Sequence, residues 1–115
     1  MATDKVTRYR QIILTWLEEF AKAKPVNLSE VEQQILADHE RGHYALITIG
    51  FQKDRHVYLP LFHLDLKPDG KVYLQRNETD RLIADELVEQ GIAREDIVLA
   101  FHPPELRVHT GFGVG

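Results

Sequence analysis

The N-terminal residues carry apolar side chains at spacings of three and four, which predicts an amphipathic helix with one buried face. Thr3 is in the position of an N-cap, and Pro25 should end the helix after Lys24. Aromatic residues that fall on the stripe are interpreted as core residues rather than as ligand-stacking residues. The stripe comprises Val6, Tyr9, Ile13, Trp16, Leu17 and Phe20.

The next segment, LSEVEQQILADHE, fits two structures. Ser29 with Glu32 three residues later resembles a capping box, which favours a helix, whereas alternating apolar and polar residues from Val31 onward favour a strand. The run YALITI follows immediately after His43 and is typical of a strand. The residues between these segments therefore predict a tight loop between two antiparallel strands, with Gly42 at a positive φ.

The pattern from Phe51 to Gln75 predicts more sheet. HVYLPLFHLDLK is a long strand interrupted by Pro60, which implies either a sheet edge or a bulge. KPDGK is a turn, and the residues from Val72 to Gln75 return as a fourth strand. Four strands joined by short loops predict an antiparallel meander with one face covered by helices.

A second helix is predicted after the meander. Thr79 is its expected cap, Gly91 its expected end, and Asp85, Glu86 and Glu89 are interpreted as a solvated face. A short apolar strand and a glycine-rich tail close the chain. We therefore expect one α+β domain over residues 1–115, with the second helix packed on the sheet. Its apolar stripe comprises Leu82, Ile83, Leu87 and Val88.

Composition excludes several classes of protein. The chain of 115 residues has no cysteine, so disulfides and thiolate sites are excluded. With 18 acidic and 14 basic residues its formal net charge is −4, which gives no general attraction to phosphate. No apolar run approaches the roughly 20 residues of a membrane span, and no signal-peptide pattern is present. We expect a cytoplasmic protein that does not bind membranes.

The stretch HERGH, residues 39–43, matches the H-E-x-x-H signature of zinc proteases. That chemistry requires both histidines on one helical face, and a hairpin does not provide it. A cross-strand metal site built from His39 and His43 stays open as an alternative. Because zinc normally takes three or four protein ligands and no third is evident, we expect solvated turn histidines and no metal or cofactor.

Two further patterns resemble functional sites. His63 and Asp65 share one face of the long strand, but with no nucleophile beside them we interpret them as a hydrogen-bonded structural pair. The glycines from Gly111 to Gly115 lack the strand and helix that a nucleotide-binding fingerprint requires. The residues alone therefore predict no catalytic site.

Five stretches follow one another along the chain: YRQII, ERGHYALITIGF, HLDLKPDGKVYLQRNETD, IADELVEQGIAREDIVLAFHPPELR and TGFGVG. Together and in this order they resemble the XisI family, named for the controlling factor of fdxN-element excision in cyanobacteria, and the likeness spans essentially the whole chain. It implies a helix, an antiparallel sheet and a second helix, with a strand for the ambiguous segment. In the family pattern the position of His39 usually holds threonine, and that of Gly113 more commonly alanine.

The resemblance implies a non-enzymatic accessory or regulatory protein that acts with XisH, a nuclease-like partner, in programmed removal of a DNA element. It assigns no catalytic residues. Alternatives are a stand-alone DNA-binding protein, and a small-molecule-binding domain or enzyme that uses His63 or the pair of His39 and His43. Basic residues on the first helix are diluted by acidic neighbours, so we expect only weak DNA binding by the protein alone.

Tyr58, Phe62 and Tyr73 are candidate interface residues on the sheet. Aromatic side chains on a partly exposed face are typical interface anchors, although a core position is an equally good interpretation of each. The expected partner is an XisH-like protein or a second copy of the chain.

Overall fold

The computed structural model describes residues 2–22, 30–79 and 81–115. It confirms the predicted α+β class. The helices and strands are α1 (Ala2–Lys22), β1 (Val31–Asp38), β2 (His43–Gln52), β3 (Arg55–Leu66), β4 (Val72–Asn77), α2 (Ile83–Gln90) and β5 (Ile97–Leu99), with 3₁₀ helices at Arg94–Asp96 and Pro104–His109.

The strands form one sheet in the order β1-β2-β3-β4-β5. The first four pair antiparallel, as the meander prediction requires. The sheet is mixed, because β5 returns after α2 and pairs parallel with β4. Val98 of β5 also forms a bridge with Gly113, so the tail borders this end of the sheet.

The core lies between the helices and one face of the sheet. The apolar stripe of α1 is buried there with Ile83 and Leu87 of α2 and with alternate residues of the central strands, such as Leu64. The strand residues between these buried positions point away from the helices. We call this opposite side the open face; His43, Ala45, His63, Asp65 and Tyr73 belong to it.

The predicted helix starts are wrong. Helix α1 already includes Thr3, so Thr3 is not its N-cap. Helix α2 begins at Ile83 rather than after Thr79, because the backbone N–H and the hydroxyl of Thr79 both donate to Asn77 Oδ1, at 2.9 and 2.7 Å. Side chains of this kind compete with helix formation. Leu82 consequently precedes the helix and is 72% exposed instead of lying on its apolar stripe.

The predicted end of α2 is confirmed, because Gly91 adopts a left-handed conformation with φ of 118°. Glu86 differs from its predicted solvated role. Its carboxylate accepts the Trp16 indole N–H at 3.0 Å and pairs with Arg81, so it links α2 to α1. The hydrogen bond from Arg81 holds the pKa of Glu86 below its ordinary value. The predictions about Lys24, Pro25 and Ser29 lie outside the described residues.

Pro60 lies beside a bulge, as predicted. Leu46 pairs with Phe62 and Ile47 with Pro60, so Leu61 is the extra residue in β3. Strand β3 pairs with β4 only from Phe62 onward. Among the described residues, the outer edge of β3 at residues 55–60 has no strand partner. Proline is tolerated at such an edge because it has no backbone N–H to donate, and Pro60 lies there. No helix in the described ranges is long and apolar enough to cross a membrane.

Candidate functional site

The HERGH stretch forms the turn of a β-hairpin. Strand β1 ends at Asp38 and β2 begins at His43, and the Gly42 N–H donates to the Asp38 carbonyl at 2.8 Å. Gly42 has a positive φ of 75°, and its carbonyl accepts the Leu66 N–H at 2.7 Å. The hairpin prediction is confirmed, and the helical geometry of a zinc protease is absent from this stretch.

The two histidines of this hairpin bond to different partners. His39 Nδ1 lies 3.1 Å from the Tyr44 hydroxyl, which also accepts the Arg10 Nε–H at 3.1 Å. Tyr44 is fully buried on the helix side of the sheet. His43 instead lies on the open face, with Nδ1 2.7 Å from Asp65 Oδ1. The pair therefore does not form the cross-strand metal site that the sequence left open.

His43 belongs to a different cluster, centred on the Asp65 carboxylate. Asp65 Oδ1 lies 2.7 Å from His43 Nδ1 and 3.0 Å from His63 Nε2, and Oδ2 accepts the Gln75 side-chain N–H at 3.0 Å. The predicted pair of His63 and Asp65 is present. Sequence reasoning missed His43 as its third member, because only the register of β2 on β3 places His43 opposite Asp65.

The carboxylate is buried while both imidazoles reach solvent. The Asp65 side chain is 11% exposed, against 52% for His43 and 45% for His63. Burial by itself raises the pKa of Asp65. The hydrogen bonds from His43 and Gln75 and the charge of His63 outweigh burial, and together they hold this pKa below its ordinary value of 3.8. Asp65 is therefore a carboxylate at neutral pH.

A solvent-open groove of about 590 Å³ runs beside this cluster. Its lining includes no serine, threonine, cysteine or lysine. A carboxylate with two imidazoles can exchange protons or hold a cation. The lining residues are Ile35, Leu36, Ala37, Asp38, His43, Tyr44, Ala45, His63 and Asp65.

Of the three candidate interface residues, Phe62 is part of the core. It is fully buried on the helix side, with its ring centroid 5.0 Å from that of Trp16 and 4.6 Å from that of Phe20. A partner cannot reach it while the domain is folded. The candidate interface on the sheet surface therefore reduces to Tyr58 and Tyr73.

The two tyrosines both lie on the open face. Tyr58 is 60% exposed near the end of the β2–β3 hairpin, where Phe51 is 52% exposed. Tyr73 is half-buried and pairs in register with Asp65. The Lys67 ammonium lies 5.1 Å from the centre of the Tyr73 ring. Tyr73 therefore adjoins the His43, His63 and Asp65 cluster, whereas Tyr58 marks the far end of the same face.

Comparison with known proteins identifies similar chains. The sequence model of the XisI protein family matches residues 3–114. The crystal structure of a XisI-like protein from Anabaena variabilis ATCC 29413 shares 39% sequence identity and a TM-score of 0.88, over 96% of this chain and 99% of that one. A crystal structure of fdxN element excision controlling factor XisI from the same organism shares 27% identity and a TM-score of 0.80, over the same fractions. No curated protein sequence matches.

Proposed function

Because the chain belongs to the XisI family, we propose that it is a non-enzymatic accessory protein that helps to control programmed excision of a DNA element by binding another protein. The similar protein of 27% sequence identity is named as an excision controlling factor, and this name supports the proposed role. The proposed partner is an XisH-like, nuclease-related protein. A homo-oligomer formed through the same surface is the second assembly that we propose.

The observation that carries the proposal is the exposed end of the β2–β3 hairpin, residues 49–59, which we call the distal hairpin. Phe51, Tyr58 and Leu59 are 52, 60 and 36% exposed. The adjoining outer edge of β3 has no strand partner among the described residues. Exposed apolar side chains next to unpaired backbone N–H and C=O groups are typical of a surface that pairs with another chain.

The charges of the chain favour a protein partner over direct DNA binding. Several basic residues of α1 hold the fold together: Lys5 pairs with Asp96 at 2.9 Å, Arg8 donates to the Gly91 carbonyl and Arg10 to the Tyr44 hydroxyl. Neutralising phosphates would compete with these contacts. With a net charge of −4, the chain should leave DNA contact to its nuclease-like partner.

Co-purification with the product of a neighbouring XisH-like gene tests the proposal. The variant Tyr58→Glu introduces a charge into the distal hairpin and should reduce retention of the partner, while circular dichroism shows an intact fold. Leu82→Glu is the matched control, because Leu82 is also an exposed apolar residue, 72% exposed against 60% for Tyr58, and lies just before α2. Tyr73→Glu shows whether the surface extends along the open face.

Three results would overturn the proposal. One is a strict monomer that retains no XisH-like protein. Another is equal loss of partner binding in Tyr58→Glu and Leu82→Glu. The third is tight binding of the isolated protein to duplex DNA that survives about 0.2 M salt, since non-specific complexes are expected at roughly 10⁻⁴ to 10⁻⁶ M and weaken steeply with salt.

The groove on the open face favours a second candidate function, a small-molecule-binding domain or an enzyme. A buried carboxylate that orients two half-exposed imidazoles is an arrangement that binding sites use. Thermal-shift measurements with a metabolite set test this candidate, with His63→Gln as the site variant. A ligand that stabilises the wild type and not the variant would support it.

A further inference from the structure

Three side chains with metal-binding atoms converge on the open face. We propose that His43, His63 and Asp65 bind a divalent first-row transition-metal ion such as Zn²⁺. Their ligand atoms all lie within 4.8 Å of one another, and two imidazoles with one carboxylate are a donor set that such ions accept. The sequence argued against a metal at His39 and His43 because no third ligand was evident. The register of the sheet instead places His43 beside His63 and Asp65.

The separations of the donor atoms suit a single ion. Metal–ligand bonds of about 2.0–2.1 Å in a tetrahedral site place neighbouring ligand atoms roughly 3.3 Å apart. Asp65 Oδ1 is 2.7 Å from His43 Nδ1 and 3.0 Å from His63 Nε2, and no pair exceeds 4.8 Å. Because both imidazoles are about half exposed, side-chain rotations can lengthen the two contacts to Asp65 by a few tenths of an ångström and bring the two imidazole nitrogens, which lie within 4.8 Å of each other, closer together.

Protons move when the ion binds. In the hydrogen-bonded cluster both imidazole nitrogens that face Asp65 Oδ1 can donate to it. A bound metal needs lone pairs at those atoms, so a neutral His43 carries its proton on Nε2 and a neutral His63 on Nδ1. Metal binding therefore fixes one tautomer in each ring. This change gives the site a spectroscopic signature that a purely structural cluster lacks.

Gln75 serves as a positioning residue for the ion. Its side-chain N–H donates to Asp65 Oδ2 at 3.0 Å, which fixes the carboxylate with Oδ1 directed at the two imidazoles. Outer partners of this kind orient metal ligands and typically change affinity by about 10- to 100-fold. Three protein ligands also leave at least one of four coordination positions open, and the adjoining groove gives water or another ligand access to it.

Titration of the chelator-treated full chain with ZnCl₂ by isothermal calorimetry tests the proposal. We expect one ion per chain with a dissociation constant in the micromolar range or tighter, and a d–d absorption band when Co²⁺ replaces Zn²⁺. His43→Gln and His63→Gln should each weaken binding by more than about tenfold, and Gln75→Ala by about tenfold. In ¹⁵N NMR spectra, Zn²⁺ should fix the predicted tautomers of both imidazoles.

His39→Gln is the matched control, because His39 lies on the same hairpin and bonds Tyr44 instead of Asp65. It should leave Zn²⁺ binding unchanged. Since His63 is half exposed, His63→Gln is expected to fold, which circular dichroism checks. The proposal is overturned by less than half an equivalent of bound Zn²⁺, by millimolar affinity, or by a folded His63→Gln variant that binds like the wild type.

Discussion

Tyr9 joins two parts of the fold through one hydroxyl group. The hydroxyl donates to Asp96 Oδ2 at 2.6 Å and accepts the Ala93 N–H at 3.1 Å, so α1 is tied to the segment that follows α2. Tyr9 is 1% and Asp96 8% exposed. The variant Tyr9→Phe keeps the buried ring and removes only this oxygen, which makes it a direct test of the polar link.

The loss of unfolding free energy in Tyr9→Phe follows from the two hydrogen bonds that the hydroxyl makes. A hydrogen bond to a charged group contributes about 1.5–3 kcal/mol. An unsatisfied buried N–H costs about 1–3 kcal/mol, and the part-buried Ala93 N–H should lie at the low end of that range. Lys5 Nζ remains 2.9 Å from Asp96 Oδ2, so the carboxylate keeps one partner and the two costs do not add fully. We expect Tyr9→Phe to lower the free energy of unfolding by about 2–3 kcal/mol at pH 7, a large part of a typical domain's stability.

The loss should depend on pH. Burial raises the pKa of Asp96, but the hydrogen bonds from Lys5 and Tyr9 outweigh it and hold the folded-state pKa below its ordinary value of 3.8. A carboxylate of this kind contributes stability above its unfolded-state pKa, and the contribution is lost as the pH falls through the folded-state pKa. The difference between wild type and Tyr9→Phe should therefore shrink in acid.

Urea denaturation at pH 7 and in acid measures the loss of stability and its pH dependence. The proteins compared are the wild type, Tyr9→Phe, Asp96→Asn and the double variant. A coupling energy of at least about 1 kcal/mol between the two sites is expected. Tyr58→Phe, at an exposed tyrosine, is the control and should change stability by less than about 0.5 kcal/mol. The reasoning is refuted by a loss below about 1 kcal/mol at pH 7 or by additive single-variant effects.

Two further variants test the hairpin and the core. Gly42→Ala should destabilise the protein by at least about 1–3 kcal/mol, because a Cβ atom there would lie 2.2 Å from the Leu66 carbonyl oxygen. Gly111 has a similar φ, but a Cβ atom there would have nothing within 4 Å, so Gly111→Ala should lower the free energy of unfolding less in the same denaturation assay. Equal losses in the two variants would argue against the clash. Phe62→Ala should lower the free energy of unfolding by about 3–5 kcal/mol, whereas Phe51→Ala should lower it by less than about 1 kcal/mol. A small loss for Phe62→Ala would contradict the core position of Phe62.

Local chemistry made the HERGH hairpin predictable. Gly42 and the β-branched run that follows His43 act within a few residues, so the loop and the strand after it can be inferred from the sequence alone. The same holds for Pro60 and its bulge and for Gly91 at the end of α2. The order of motifs along the chain also pointed to the XisI family, which the family match over residues 3–114 shows.

The start of α2 and the position of Phe62 required the three-dimensional structure. Thr79 has the chemistry of a cap, but Asn77 holds it in the preceding turn. Phe62 lies four residues after Tyr58, and simple alternation would put both on one face. The extra residue Leu61 reverses the alternation, so Tyr58 faces solvent and Phe62 enters the core.

The candidate site shows the same division between sequence and tertiary structure. Spacing of two along a strand places His63 and Asp65 on one face, and the sequence alone determines that. His43 lies 22 residues from Asp65, and no local pattern relates them. Only the register of β2 on β3 brings its imidazole to the carboxylate, because a slip of one residue would turn His43 to the other face of the sheet.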